Sequence, residues 1–120
     1  SVLERWTNAL PAVLVMTSVG DGPPHWPAVL ARRLQAAVGS SVPVCEAAEL
    51  TASDLLDLRR RYRLALISAS AADANIAPLA AESDGVYLCV RIGRDRLGDI
   101  ERAAAQILDR GGLIVGLIAE

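Results

Sequence analysis

The stretch Gly20-Asp21-Gly22-Pro23-Pro24-His25-Trp26-Pro27 decides the fold, because a strand pattern precedes it and a helix pattern follows it. The strand pattern is the apolar run 12–18, and the helix pattern covers 28–38 and closes at Gly39. A strand, a glycine-containing loop and a helix form the layout of a Walker A motif, in which backbone N–H groups and a lysine hold phosphates. Proline has no N–H to offer, and this chain contains no lysine. The loop therefore has the position of a phosphate site without its chemistry.

The composition fits one domain spanning residues 1–120, which is long enough to bury a core without disulfides or metals. Phe is absent, so the core must be built from Leu, Ile, Val and Ala. The formal net charge of -2 argues against a nucleic-acid partner, for which a basic surplus is expected. No apolar run approaches the ~20 residues of a membrane span. We expect a cytoplasmic domain, and its start at Ser1 fits a piece of a longer protein.

The residue types that bind metals are few. Cys45 and Cys89 lie in apolar strand patterns and are expected to be buried, reduced thiols. Together with the single histidine, His25, they leave too few ligands for zinc. Asp21 is a lone carboxylate in its loop and is typical of an Asp-Gly turn. We therefore predict neither a metal nor a cofactor.

Strand and helix patterns alternate along the chain, which predicts a three-layer α/β sandwich with a five-stranded parallel sheet. The second strand contains Pro43 and should lie at a sheet edge. The fourth and fifth strands are continuous apolar runs, as expected for strands buried on both faces. The pattern alone allows a strand order of 2-3-1-4-5 or the flavodoxin-like 2-1-3-4-5. The predicted strands are 12–18, 42–46, 64–68, 85–90 and 113–118.

The helix patterns have recognisable ends. Pro27 suits the first turn of the helix at 28–38, and residues 51–54 resemble a capping box for the next helix. Shorter helices are predicted at 76–82 and at 2–10, the latter stopped by Pro11. Asp95 is predicted to cap a last helix that ends at Gly111-Gly112, with an inward stripe of Leu97, Ile100, Ala104, Ile107 and Leu108.

Three features allow two interpretations each. The basic run 59–63 is typical of a helix C-terminus, although it could also touch phosphate, nucleic acid or an acidic membrane surface. His25 is interpreted as a loop histidine and not a catalytic base, because no nucleophile motif accompanies it. Trp26, with Pro23 and Pro24, either forms an interaction surface or folds back over the sheet.

Several segments resemble bacterial polysaccharide-biosynthesis tyrosine kinases, which belong to the MinD/ParA-like class of P-loop ATPases. The similar segments are Thr17-Ser18 with the loop after it, 61–68, 80–94, 111–117 and 6–10. The most specific is 80–94, which is similar to an "AxxADGVxLVVRxGxT" phrase of that family. The resemblance covers nearly the whole chain, and it implies the P-loop NTPase-like strand order 2-3-1-4-5.

The residues that hold ATP and Mg²⁺ in that family are replaced here. His25 and Trp26 stand where the family has a lysine and a Ser or Thr. Residues 44–48 lack an Asp-x-Asp pattern, and Ser68 takes the Walker B aspartate position at the predicted strand end. Trp6 replaces the arginine before the family's "TN". The degenerate phosphate-loop positions are Gly20, Asp21, Gly22 and His25.

These losses favour a catalytically inactive domain that acts by protein–protein interaction or regulation, without a cofactor. The resemblance implies a setting in exopolysaccharide biosynthesis or export, with a membrane-bound polysaccharide chain-length or export component as partner, and it leaves a homo-oligomer open. One alternative is a nucleotide- or anion-binding enzyme that uses Arg91, Arg94 or Arg96 near the carboxyl end of the fourth strand. Another is a purely architectural domain of a longer chain.

Overall fold

The computed structural model describes Trp6, residues 9–20, Gly22 and residues 24–119. The predicted helix at 2–10 and the loop residues Asp21 and Pro23 lie largely or wholly outside these residues. The strands are β1 (Ala12–Ser18), β2 (Val44–Glu46), β3 (Leu64–Ser70), β4 (Gly85–Val90) and β5 (Ile114–Ala119). The helices are α1 (Trp26–Val38), α2 (Asp54–Arg61), α3 (Ile76–Glu82) and α4 (Leu97–Asp109), with a short 3₁₀ turn at Ala47–Glu49.

The five strands form one sheet in the order β2-β3-β1-β4-β5, and every neighbouring pair is parallel. The order confirms the predicted fold and decides against the flavodoxin-like alternative, because β3 lies between β2 and β1, and β1 pairs with β4. β1 is central and all seven of its residues are buried. β2 lies at an edge, as the proline before it predicts.

Helices cover both faces of the sheet. On one face, α2, α3 and α4 bury Leu55, Leu79 and Ile107 against alternate residues of β1, β3 and β4. On the other, α1 packs Leu34 and Val38 onto the remaining alternate residues, and Trp6 joins the same cluster. The alternation of strand side chains thus divides the core into two layers around one sheet.

The helix boundaries follow local chemistry. Pro27 lies in the first turn of α1, and Gly39 ends the helix with a left-handed φ of 78°. At α2, the carboxylate of Asp54 accepts the Thr51 N–H at 2.8 Å, which is half of the predicted capping box. Asp95 does not cap α4 as predicted; its carboxylate instead accepts the Arg91 N–H at 2.6 Å and closes the preceding loop.

Three further predictions need correction. β5 is not buried on both faces, because it is an edge strand and Leu117 is 64% exposed. Leu97 and Leu108 are exposed, so the inward stripe of α4 consists of Ala103 and Ile107 with Ile100 and Ala104 beside them. β3 extends two residues beyond the predicted end, to Ser70, and β2 is shorter than predicted.

Candidate functional site

The candidate site lies at the carboxyl edge of the sheet, between β1 and β4. The connection from β1 leads through α1 to β2 on one side, and the connection from β4 leads through α4 to β5 on the other. Ligands of open α/β sheets bind at such a switch point, outside the carboxyl ends of the strands. A crevice of about 360 Å³ opens here along α4, and its walls include Gly20, Asp95, Asp99 and Arg102.

The charges of this crevice suit a phosphate poorly. Asp95 approaches the β1 loop so closely that a Cβ on Gly20 would lie 3.5 Å from its Oδ1. The carboxylate of Asp99 lies 3.6 Å from the Arg102 guanidinium in an exposed ion pair. Arg102 balances the charge of Asp99, so the Asp95 carboxylate is the charge that lies against the loop, where a phosphate-binding loop presents N–H donors and cations.

The loop after β1 is folded back on the strand end. The Ser18 hydroxyl donates to the carbonyl of Gly22 at 2.6 Å, and the Gly20 carbonyl lies 3.2 Å away. Gly22 has φ 86°, a left-handed conformation that glycine adopts without strain. The polar groups at the strand end are therefore used to hold the loop itself.

The start of α1 differs from a phosphate-binding helix terminus. Pro24 and Pro27 are both buried there, and neither has an N–H. His25 is the exposed N-cap residue, and its side chain makes no capping hydrogen bond. Trp26 is half-buried, and its indole N–H donates to the Ala119 carbonyl at 3.2 Å, which ties α1 to the end of β5. The ring thus contacts the end of β5 and is still partly exposed to solvent, so the structure excludes neither interpretation of Trp26.

Ser68 stands inside β3 and not at its end. It is 4% exposed, pairs with Met16 of β1 and lies beside Glu46 of β2. A small pocket of about 160 Å³ joins it to Glu46 and Asp73. The carboxylate of Asp73 accepts the Ser70 N–H at 2.8 Å and so closes the turn after β3.

Glu46 and Asp73 are site residues that the sequence reasoning missed. The signal was present, because Glu46 is the last residue of β2 and Asp73 comes three residues after the end of β3. Among the described residues, however, no group of three His, Cys, Asp or Glu side chains is placed to hold a metal ion. A hard cation needs several oxygen ligands, so these two carboxylates alone do not make a metal centre.

The arginines after β4 are spread over the loop. Arg91 is half-buried and reaches the β1 loop, since a Cβ on Gly22 would lie 3.9 Å from its Nη2. Arg94 and Arg96 are exposed. The basic run before β3 belongs mainly to the last turn of α2, as its interpretation as a helix C-terminus predicts.

A second cavity of about 390 Å³ adjoins the crevice between α3 and α4. Small side chains of the loop after β3, including Ala71 and Ala74, form one wall, and Gln106 and Asp109 of α4 form the other.

No helix in the described part of the chain is long and apolar enough to cross a membrane.

The fold is an α/β sandwich with a five-stranded parallel sheet of order β2-β3-β1-β4-β5 and a crevice at its switch point. No protein-family model matches the sequence, and the comparison with curated proteins gives no match. Among solved structures, the chain is similar to one described as the BceF tyrosine kinase domain. The two superpose with a TM-score of 0.70 at 17% sequence identity, over 98% of this chain and 74% of that one. The resemblance seen in the sequence is thus confirmed as a shared fold.

Proposed function

We propose that this chain is a P-loop-derived domain that no longer binds nucleotide and works by contact with another protein. One observation carries the proposal: buried Pro27 lies in the first turn of α1 and buried Pro24 just before its N-cap residue, at the place where a phosphate-binding loop and helix present free N–H groups. Phosphate stabilisation in P-loop proteins depends on such donors, a lysine and Mg²⁺ acting together.

The other parts of the site support the same conclusion. The resemblance assigns His25 to the lysine position and Ser68 to the aspartate position, and β3 itself ends at Ser70, so neither a lysine nor an aspartate stands at these places. Asp95 faces the loop with the same sign of charge as a phosphate. A nucleotide placed here would meet repulsion from Asp95 without the lysine that offsets phosphate charge in P-loop proteins.

The biological process that we infer for this chain rests on its similarity to a kinase domain. The similar domain is named a tyrosine kinase, and the sequence phrases are those of kinases that act in polysaccharide synthesis. We infer a cytoplasmic domain in exopolysaccharide biosynthesis or export. Its partner would be a membrane-bound chain-length or export component.

The nucleotide half of the proposal is tested by titrating the chain with ATP and Mg²⁺ in a calorimeter, beside a P-loop ATPase with an intact lysine. We expect no binding heat at concentrations that saturate the control. Clear micromolar binding would contradict the proposal.

The partner half is tested with the cytoplasmic segment of a polysaccharide chain-length protein immobilised on a sensor. The loop residue Trp26 is replaced by alanine and compared with Val29→Ala, an exposed site on the outside of the same helix. We expect Trp26→Ala to weaken binding about tenfold or more, as hot-spot tryptophans do, and Val29→Ala to leave it unchanged. Equal affinities for both variants, or no binding at all, would contradict this placement.

One observation favours the alternative of an anion site, namely the approach of Arg91 to the β1 loop. If the calorimeter shows ATP or inorganic phosphate binding, Arg91→Ala should abolish it, whereas Arg110→Ala, at the far end of α4, should not.

A further inference from the structure

The small pocket at the carboxyl ends of β2 and β3 contains a buried hydroxyl group without a partner. Ser68 is 4% exposed and lines this pocket, whose volume is about 160 Å³. Among the described residues, none accepts a hydrogen bond from the Ser68 hydroxyl or donates one to it. Buried side-chain polar groups in proteins are nearly always hydrogen-bonded. The unpartnered hydroxyl therefore indicates that a further molecule completes the pocket.

The register of the sheet brings further oxygen atoms to the same place. Glu46 of β2 pairs with Ser68 of β3, and paired residues of neighbouring strands have their side chains on the same face. Ser70 lies two residues further along β3 and therefore on that face as well. Asp73 lines the pocket from the turn after β3, where its carboxylate accepts the Ser70 N–H at 2.8 Å. The pocket is thus surrounded by side chains that carry oxygen.

The charge of the pocket determines the class of ligand. Its lining includes the carboxylates of Glu46 and Asp73 and no cationic side chain. Neither carboxylate forms an ion pair with another residue in the described part of the chain. An anion would be repelled by both carboxylates, whereas a cation would be attracted. A cation that carries N–H groups can also donate to the hydroxyl oxygen of Ser68, which then gains the partner that it lacks.

We propose that this pocket binds a guanidinium group. Guanidinium is planar and presents five N–H donors in fixed directions, so one group can reach Glu46, Asp73 and the Ser68 hydroxyl together. Its hydrogen bonds to carboxylates are charge-assisted and therefore stronger than those between neutral groups. A free guanidino compound and an arginine side chain of another protein both supply this group, and the experiment below separates them. The inference does not depend on the loss of nucleotide binding.

The first test follows the backbone amide signals of the isotope-labelled chain by NMR. The chain is titrated separately with methylguanidinium, with the peptide acetyl-Gly-Arg-Gly-amide and with the same peptide containing citrulline, the neutral isostere of arginine. We expect saturable shifts at residues 46 and 68–73 with a guanidinium probe and none with citrulline. Shifts with methylguanidinium assign the site to free compounds as well as to proteins, and shifts with the arginine peptide alone assign it to a protein ligand. No shift with either guanidinium probe, equal shifts with citrulline, or shifts with Mg²⁺ alone would overturn the proposal.

The second test removes the two charges one at a time. Glu46→Gln and Asp73→Asn each keep a side-chain oxygen, so the second variant can still accept the Ser70 N–H. Each should raise the Kd of the guanidinium probe about tenfold, because a charge-assisted hydrogen bond is lost. The control is Glu49→Gln, an exposed carboxylate of the 3₁₀ turn outside the pocket lining, which should change the Kd by less than about twofold. Equal effects of Glu46→Gln and Glu49→Gln would overturn the proposal.

The third test separates a role of Ser68 in binding from a role in folding. Ser68→Ala removes a buried hydroxyl that has no hydrogen-bond partner among the described residues, so the urea midpoint of the free chain should stay the same or rise. The same variant should weaken guanidinium binding by about threefold or more, because the ligand loses an acceptor. The amide spectrum verifies that each variant is folded. An unchanged affinity for the guanidinium probe would overturn its placement in this pocket.

Discussion

The indole N–H of Trp6 donates to the hydroxyl of Tyr87 at 2.9 Å, across 81 positions of the chain. Both side chains are buried, at 6% and 5% exposure. The Trp6 ring also covers Gly85, where a Cβ would lie 3.2 Å from Cζ2. The tryptophan that replaces the arginine expected from the resemblance is therefore part of the core under β4.

We expect the Trp6–Tyr87 hydrogen bond to couple the two residues energetically. Trp6→Phe leaves the tyrosine hydroxyl buried without this donor, and Tyr87→Phe leaves the indole N–H without this acceptor, at about 1–3 kcal/mol each. The double variant removes both groups, so its loss should be smaller than the sum by about 0.5–3 kcal/mol. Urea unfolding of the four proteins measures the difference. Strictly additive losses would show that the bond contributes nothing.

Asp84 directly precedes β4 and connects it to two further elements. Its carboxylate accepts the Val13 N–H at 2.7 Å and lies 3.3 Å from the Arg59 Nε, so it holds the start of β1 and the end of α2. Asp84→Ala should lower the free energy of unfolding by about 1–2 kcal/mol, because the buried Val13 N–H loses this acceptor.

The control for Asp84 is Asp57→Ala, which removes an exposed ion pair with Arg61 within α2. Such pairs contribute little, so we expect a change within about 0.5 kcal/mol. Thermal unfolding compares the two variants, and equal losses would count against the role of Asp84.

Replacement by alanine should change the free energy of unfolding in opposite directions at two glycines. Gly39 has a left-handed φ of 78° at the end of α1, so Gly39→Ala should destabilise the protein by about 1 kcal/mol although the site is open. Gly98 lies within α4 with open space around it and no positive φ, so Gly98→Ala should stabilise by about 0.5 kcal/mol. Denaturant midpoints give both values; the same sign for both would contradict the backbone assignment.

The Cys45 thiol should be a slow nucleophile. Burial raises the pKa of Cys45 above its ordinary value, and the carboxylates of Glu49 and Glu46 raise it further. Because the thiolate is the reacting form, the rate of alkylation should rise at a higher pH than for free cysteine. Glu49→Gln lowers the pKa and should move the profile towards neutral pH, whereas Glu101→Gln on α4 should not. Peptide mapping separates Cys45 from the buried Cys89.

The elements with strong local signals were predicted best. β4 and α3 have the predicted boundaries. β4 begins at a glycine and continues as an uninterrupted apolar run, and α3 is a short apolar helix, so neighbouring residues alone indicate both elements. The burial of β5 was predicted wrongly, because its apolar run looks the same whether the strand is central or at an edge. Only the position in the sheet decides how much of Leu117 faces solvent.

The sequence predicted which family residues the candidate site lacks, but it did not predict which contacts the site residues make. The missing lysine and the serine at position 68 are visible in the sequence. The approach of Asp95 to Gly20, the bond from Trp26 to Ala119 and the pocket that joins Glu46 to Asp73 depend on how loops from distant elements meet at the sheet edge. Sequence spacing does not encode those distances.

The proposed loss of the nucleotide site is tested most directly by a calorimetric titration of the chain with ATP and Mg²⁺, beside a P-loop ATPase that has its lysine. We expect no binding heat for this chain at concentrations that saturate the control. Micromolar binding of ATP by this chain would contradict the proposed loss.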